Sequence, residues 1–192
     1  MKSVLRVYLD FKSPAAYLAF HPTLALIERT GAAVEWRPFR TQQRPIPEAK
    51  PDETRGETHR RVRAIQRRET HLKYAALRGL EMRFRNEAGD TDPALAVLLT
   101  DLVDPPAYID AAFRAYWVDG VDLGDADTVA DVMARSGHDP DRINWAAAAE
   151  TLDAAQTEAE EAGVVDAPGY RIADQLFIGR EHLPWISELL AA

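Results

Sequence analysis

The hydrophobic period of this chain changes twice, and those changes restrict its possible folds more than any single residue does. Val4 to Phe11 runs apolar almost without a break, as expected of a central strand covered on both faces. The run stops at Lys12-Ser13-Pro14, and Pro14 to Thr30 reads as a helix that Gly31 ends. Ser13 is a good N-cap and Pro14 suits the first helical position. Pro22, inside the helix, removes one backbone donor and predicts a kink. Ala33 to Trp36 reads as a second strand, so the N-terminal segment is a βαβ unit with a parallel pair and a right-handed crossover.

The stretch "TQQRPIPEAKPDET", residues 41–54, carries three prolines and reads as a loop. Helical patterns follow at 55–77, 93–103, 106–118, 125–136 and 141–162, the last one alanine-rich and stopped by Gly163. The period then returns to two: "DAPGYRIADQLFIG", residues 166–179, reads as two short strands around a turn at Ala173-Asp174. "REHLPWISELL" closes the chain as an amphipathic helix. Strands at both ends with helices between them predict one sheet built from both termini and a helical insertion.

Composition narrows the chemistry. With 46% apolar and 28% charged residues over 192 positions, a soluble globular domain is expected. No leader is read at Val4-Leu5-Arg6-Val7, a strand with a charge inside it, and no window approaches the roughly 20 apolar residues of a membrane helix. A net charge of -8 argues against general nucleic-acid binding. There is no cysteine, which removes disulfides, cysteine-ligated metals and a cysteine nucleophile, and fits a cytoplasmic address. The five histidines are scattered without metal-ligand spacing, so no metal is expected. Residues 55–85 hold ten Lys and Arg against three Glu, which leaves the rest of the chain near -15. That basic stretch reads as a solvated helix face with pairs such as Glu69–Lys73, as an anion-attracting wall, or as a surface for an acidic partner or RNA.

Three blocks carry a resemblance. "YLDFKSPAAYLAF" resembles the opening of the 2-hydroxychromene-2-carboxylate isomerases and kappa-class glutathione transferases, "YIDAAFRAYWVDGVDLGDADTVADVM" their inserted-domain signature, and "AEEAGVVDAPGYRIADQLFIGREHLPWI" their C-terminal block. The resemblance implies an α/β, thioredoxin-like fold, with residues 1–50 and 140–192 in the thioredoxin-like domain and 51–139 in an inserted all-helical domain. It implies a homodimer acting on a small molecule, an aromatic carboxylate or enone, with glutathione or a related low-molecular-weight thiol as cofactor. Ser13 would stabilise the cofactor's thiolate, because hydrogen bonds to a charged form lower its pKa. The cofactor-binding set implied beside it is Phe11, Pro14, Arg63, Ala167, Pro168, Arg180 and Glu181, with Ala167-Pro168 a cis bond.

Plainer readings stand beside these. From the residues alone Ser13 is read as a simple cap, Pro168 as a trans proline opening a strand, and Arg180-Glu181 as an ordinary helix start. Phe113, Tyr116 and Trp117 are expected in the core. The chain departs from the family pattern at Ala15, Ala16, Asp166 and Gly169, which alters the site and not the scaffold. Two rival functions follow. A disulfide oxidoreductase of the same fold needs a thiol of its own, and this chain has none. A binding module without catalysis, using the altered pocket, is the other.

Overall fold

A computed structural model describes residues 4–86 and 88–191. Four strands form one sheet in the order β2-β1-β3-β4: β1 (Val4–Leu9), β2 (Ala33–Pro38), β3 (Gly169–Ile172) and β4 (Gln175–Ile178). β1 is central, parallel to β2 and antiparallel to β3. The first two strands and the last two are thus joined edge to edge across the length of the chain, and the helices lie between them in sequence.

The helices are α1 (Pro14–Thr30), α2 (Arg55–Leu77), α3 (Asp92–Val97), α4 (Pro105–Arg114), α5 (Ala126–Arg135), α6 (Trp145–Glu161) and α7 (Leu183–Ala191). β1 is two residues shorter than its apolar run because Asp10 turns inward to bond Thr41 and Thr91, which ends the ladder. The 93–103 pattern yields only α3, since Leu98, Leu99 and Thr100 close three-residue turns. α6 starts at Trp145, behind an Asn144 cap and a 3-10 turn at Pro140–Arg142. Glu69 accepts from Gln66 and makes no ion pair with Lys73.

Side-chain alternation divides the core. On one sheet face Leu5, Val7, Tyr170 and Ile172 pack on Leu26 of α1 and on Leu183 and Ile186 of α7. On the other, Tyr8 packs under α6, and a larger cluster, which Leu9 joins at the end of β1, runs through α3–α6 and contains Phe113, Tyr116 and Trp117. Phe113 and Trp117 are core, as their spacing suggests. α1 continues as helix through Pro22. Proline has no N–H to offer Leu18 O one turn back, and Arg78 just beyond α2 donates to that carbonyl instead, at 2.6 Å. A backbone defect in α1 has become the attachment point of α2.

Candidate functional site

The candidate site is built where β1 enters α1 and the chain returns into β3. Ser13 has extended backbone (φ -80°, ψ 115°), its N–H donates to Asp10 O at 3.0 Å, and its Oγ caps α1 by accepting from Ala16 N at 3.2 Å. The Ser13 hydroxyl proton goes to Ala167 O at 2.8 Å, a residue 154 positions away. The Ala167-Pro168 bond is cis. The N–H of Ala167 is also taken, by Asp166 Oδ1 at 2.8 Å. Ser13 is 1% exposed, so its hydroxyl acts here as a staple between the two halves of the sheet.

The first turn of α1 still has a donor. Pro14 has no N–H, Ala16 N–H is capped, and Tyr17 N–H starts the ladder at Ser13 O. That leaves Ala15 N–H, on a half-buried residue, as the donor used by neither cap nor ladder. In the sequence Ala15 stood out only as a departure from the family pattern, and its backbone donor carries no sequence signal.

Beneath this turn lies Asp10, wholly buried. It accepts from Thr41 N (2.7 Å), Thr41 Oγ1 (2.8 Å), Thr91 Oγ1 (2.8 Å) and Lys12 N (3.2 Å), and Lys12 Nζ stands 3.7 Å away. Burial pushes the Asp10 carboxyl up from its ordinary value, and Lys12, Thr41 and Thr91 pull it back. The carboxylate clamps β1, the loop after β2 and the start of α3 together under Ser13. No sequence signal marked it, because its partners are 31 and 81 residues away.

The expected residues fall in four places. Phe11 has its ring in the core against Tyr108 and Phe113, and meets the site only through its carbonyl, which accepts from Trp117 Nε1 at 2.9 Å. Ser13, Pro14, Ala167 and Pro168 are brought together. Arg180 lies on another element, its guanidinium 3.8 Å above the Tyr74 ring on α2. Glu181 folds back over Gly179, whose φ of 101° and lack of a Cβ make room for it. Arg63 lies on α2 in one helical stripe with Arg67, His71, Tyr74 and, one turn further, Arg78. Among the described residues no carboxylate pairs with Arg63, Arg67, Arg78 or Arg180. Burial first, then Arg67 and Arg180, pull His71 below its ordinary pKa. The stripe and Arg180 together make an unneutralised positive wall able to take carboxylates. Among the described residues no group of three or more His, Asp or Glu could hold a metal ion, and no helix is long and apolar enough to cross a membrane.

Comparison with known proteins gives the family and the fold. The chain is 29% identical over 198 residues to 2-hydroxychromene-2-carboxylate isomerase of Sphingobium xenophagum, covering 99% of each chain. Its fold superposes on the structure of 2-hydroxychromene-2-carboxylate isomerase with a TM-score of 0.74 at 19% identity, covering 97% of this chain and 94% of that one. The cytosolic disulfide reductase DsbM of Pseudomonas aeruginosa, solved with GSH, superposes with a TM-score of 0.61 at 16% identity, covering 98% and 96%. The DSBA-like thioredoxin domain profile spans residues 4–191, nearly the whole chain, and this chain belongs to the DSBA-like thioredoxin domain family.

Proposed function

We propose that this protein is an enzyme of the DSBA-like family, a thiol-dependent isomerase acting on an aromatic or conjugated carbonyl compound, with glutathione or a related small thiol as cofactor. The observation that carries the reading is the α1 N-terminus: Ser13 Oγ meets the cis Ala167-Pro168 turn, and the Ala15 N–H in the same first helical turn is uncommitted, in a chain without cysteine. The sulfur this fold can work on must therefore come from outside. The relative's name, an isomerase, and the GSH in the DsbM structure support the same reading.

When bound, such a thiol supplies a nucleophilic sulfur that adds to a conjugated bond and leaves after rotation about it. The protein's part is to hold that sulfur ionised. Helix N-terminal donors and the partial positive charge there favour an anion. Ala15 N–H is free for this, and Ser13 joins by turning its proton from Ala167 O to the sulfur. Arg180 and the α2 stripe from Arg63 to Arg78 hold the carboxylates of cofactor and substrate. The protein is a cytoplasmic homodimer in this reading, testable by sedimentation and by cell fractionation.

Ser13→Ala is expected to abolish thiol-dependent turnover of an aromatic enone, and full turnover in that variant removes the role. One observation favours the binding-module reading: both hydrogen bonds of Ser13 Oγ are internal. A thermal shift decides between the two. A ligand at about 100 times its Kd adds about 2.7 kcal/mol. Stabilisation by glutathione together with turnover supports the enzyme, and stabilisation by a non-thiol small molecule without turnover supports the module.

A further inference from the structure

The sheet face opposite α1 and α7 is only half covered. α6 lies over one half, where Ala155, Glu158 and Ala159 meet Tyr8, Arg37 and Pro38. Among the described residues the other half is uncovered and holds a cleft of about 200 Å³ lined by Val4, Arg6, Arg171 and Ala173. It sits at the start of β1, at the opposite end of that strand from Ser13.

Register explains what is unusual here. Arg6 of β1 stands directly opposite Arg171 of β3, and Glu35 of β2 stands on the other side of Arg6. Like charges directly opposite on one sheet face destabilise it. Glu35 answers only part of this charge: it accepts from Arg6 Nε at 2.7 Å and lies 3.6 Å from Arg37. Glu158 of α6 is also near Arg6, and Asp174 follows Ala173 in the turn. Arg171 has no carboxylate partner among the described residues. Its Nε donates to Ala173 O at 3.2 Å, which holds the guanidinium at the cleft, and its terminal nitrogens have no acceptor among the described residues.

We propose that this cleft is an oxyanion-binding site, in which Arg171 and Arg6 clasp a phosphate or carboxylate group of a small metabolite. Two guanidinium forks on one wall match such a group in shape and charge. A volume of about 200 Å³ exceeds a single oxyanion, so the group has room for a short organic substituent. The site uses no residue of the Ser13 centre and needs no thiol.

The test is titration of the full chain with inorganic phosphate and, separately, with acetate, each against chloride at equal ionic strength, followed by amide chemical shifts. Saturable shifts centred on Val4, Arg6, Arg171 and Ala173 with either anion are expected, with phosphate and acetate separating the two forms of the group. Arg171→Gln is expected to weaken binding about tenfold or more. Linear drift no different from chloride, saturable shifts centred elsewhere, or unchanged affinity in Arg171→Gln overturns the proposal. Should Arg171→Gln fold poorly, the wild-type shift map alone decides.

Discussion

α1 and α2 are neighbouring long helices, and they are stabilised in opposite ways. α1 has 17 residues, eight of them buried, and is wedged between the sheet and the helical block. α2 has 23 residues, of which only Ala75 is buried. α1 tolerates an internal proline because tertiary packing holds it. α2 has little packing to rely on and is stabilised locally. Thr54 and Glu57 form a complete capping box, and Arg61 pairs with Glu53 just before the helix. An exposed helix leans on its own N-terminal cap and ion pair, while a buried one can carry an internal proline. Burial also decides charge: α1 has no Lys or Arg before its last turn, whereas the exposed face of α2 stays basic.

The largest test of the contrast lies at the buried end. Asp10→Ala removes the acceptor shared by Thr41, Thr91 and Lys12 under α1, and is expected to lose roughly 3–5 kcal/mol in urea denaturation. A loss below about 1 kcal/mol makes the Asp10 clamp incidental.

Ser13→Ala comes next. It deletes the cap to Ala16 and the donor to Ala167, and is expected to cost about 1–2 kcal/mol by the same measurement.

The α1–α2 junction is third. Arg78→Met leaves the buried Leu18 carbonyl unpaired, at an expected cost of about 1–2 kcal/mol. Pro22→Ala restores the missing N–H, so in that background Arg78→Met should cost less. Strictly additive effects in this double-mutant cycle break the account of how α2 is attached.

On the exposed helix the effects shrink. Arg63→Gln should change stability by less than about 0.5 kcal/mol while raising KM for the thiol. His71 sharpens the comparison further. Its folded pKa lies below the ordinary 6.5, so the folded state takes up its proton less readily than the unfolded chain does. The resulting stability is fully present above 6.5 and is lost as pH falls below it. A histidine-detected NMR titration should give a midpoint below 6.5, and Arg180→Met should move it upward. An unmoved midpoint separates Arg180 from the stripe.

Much of this molecule was readable as local chemistry. The helical pattern at 55–77 matches α2, and the β3–β4 hairpin followed from period-two alternation around Ala173-Asp174. The ends of α3 and α6 were less clear, because apolar periodicity continues through turns that tighten to three residues. The Ser13–Pro14 junction was legible as a helix start and, through resemblance, as a site. Phe11 was not placed well: a residue next to a site in sequence can point its ring into the core.

By itself the sequence determined the elements, their order, the acidic bulk with its basic helix, and the absence of any sulfur nucleophile. Those are properties of near neighbours and of counts. Tertiary structure alone decided that the Ser13 proton goes to Ala167, that Asp10 clamps Thr41 and Thr91, that Arg78 answers Pro22, and that Arg6 meets Arg171 across an open cleft. Each of these joins groups tens of residues apart. A hydrogen bond or an ion pair depends on distance in space, and local periodicity holds no record of it.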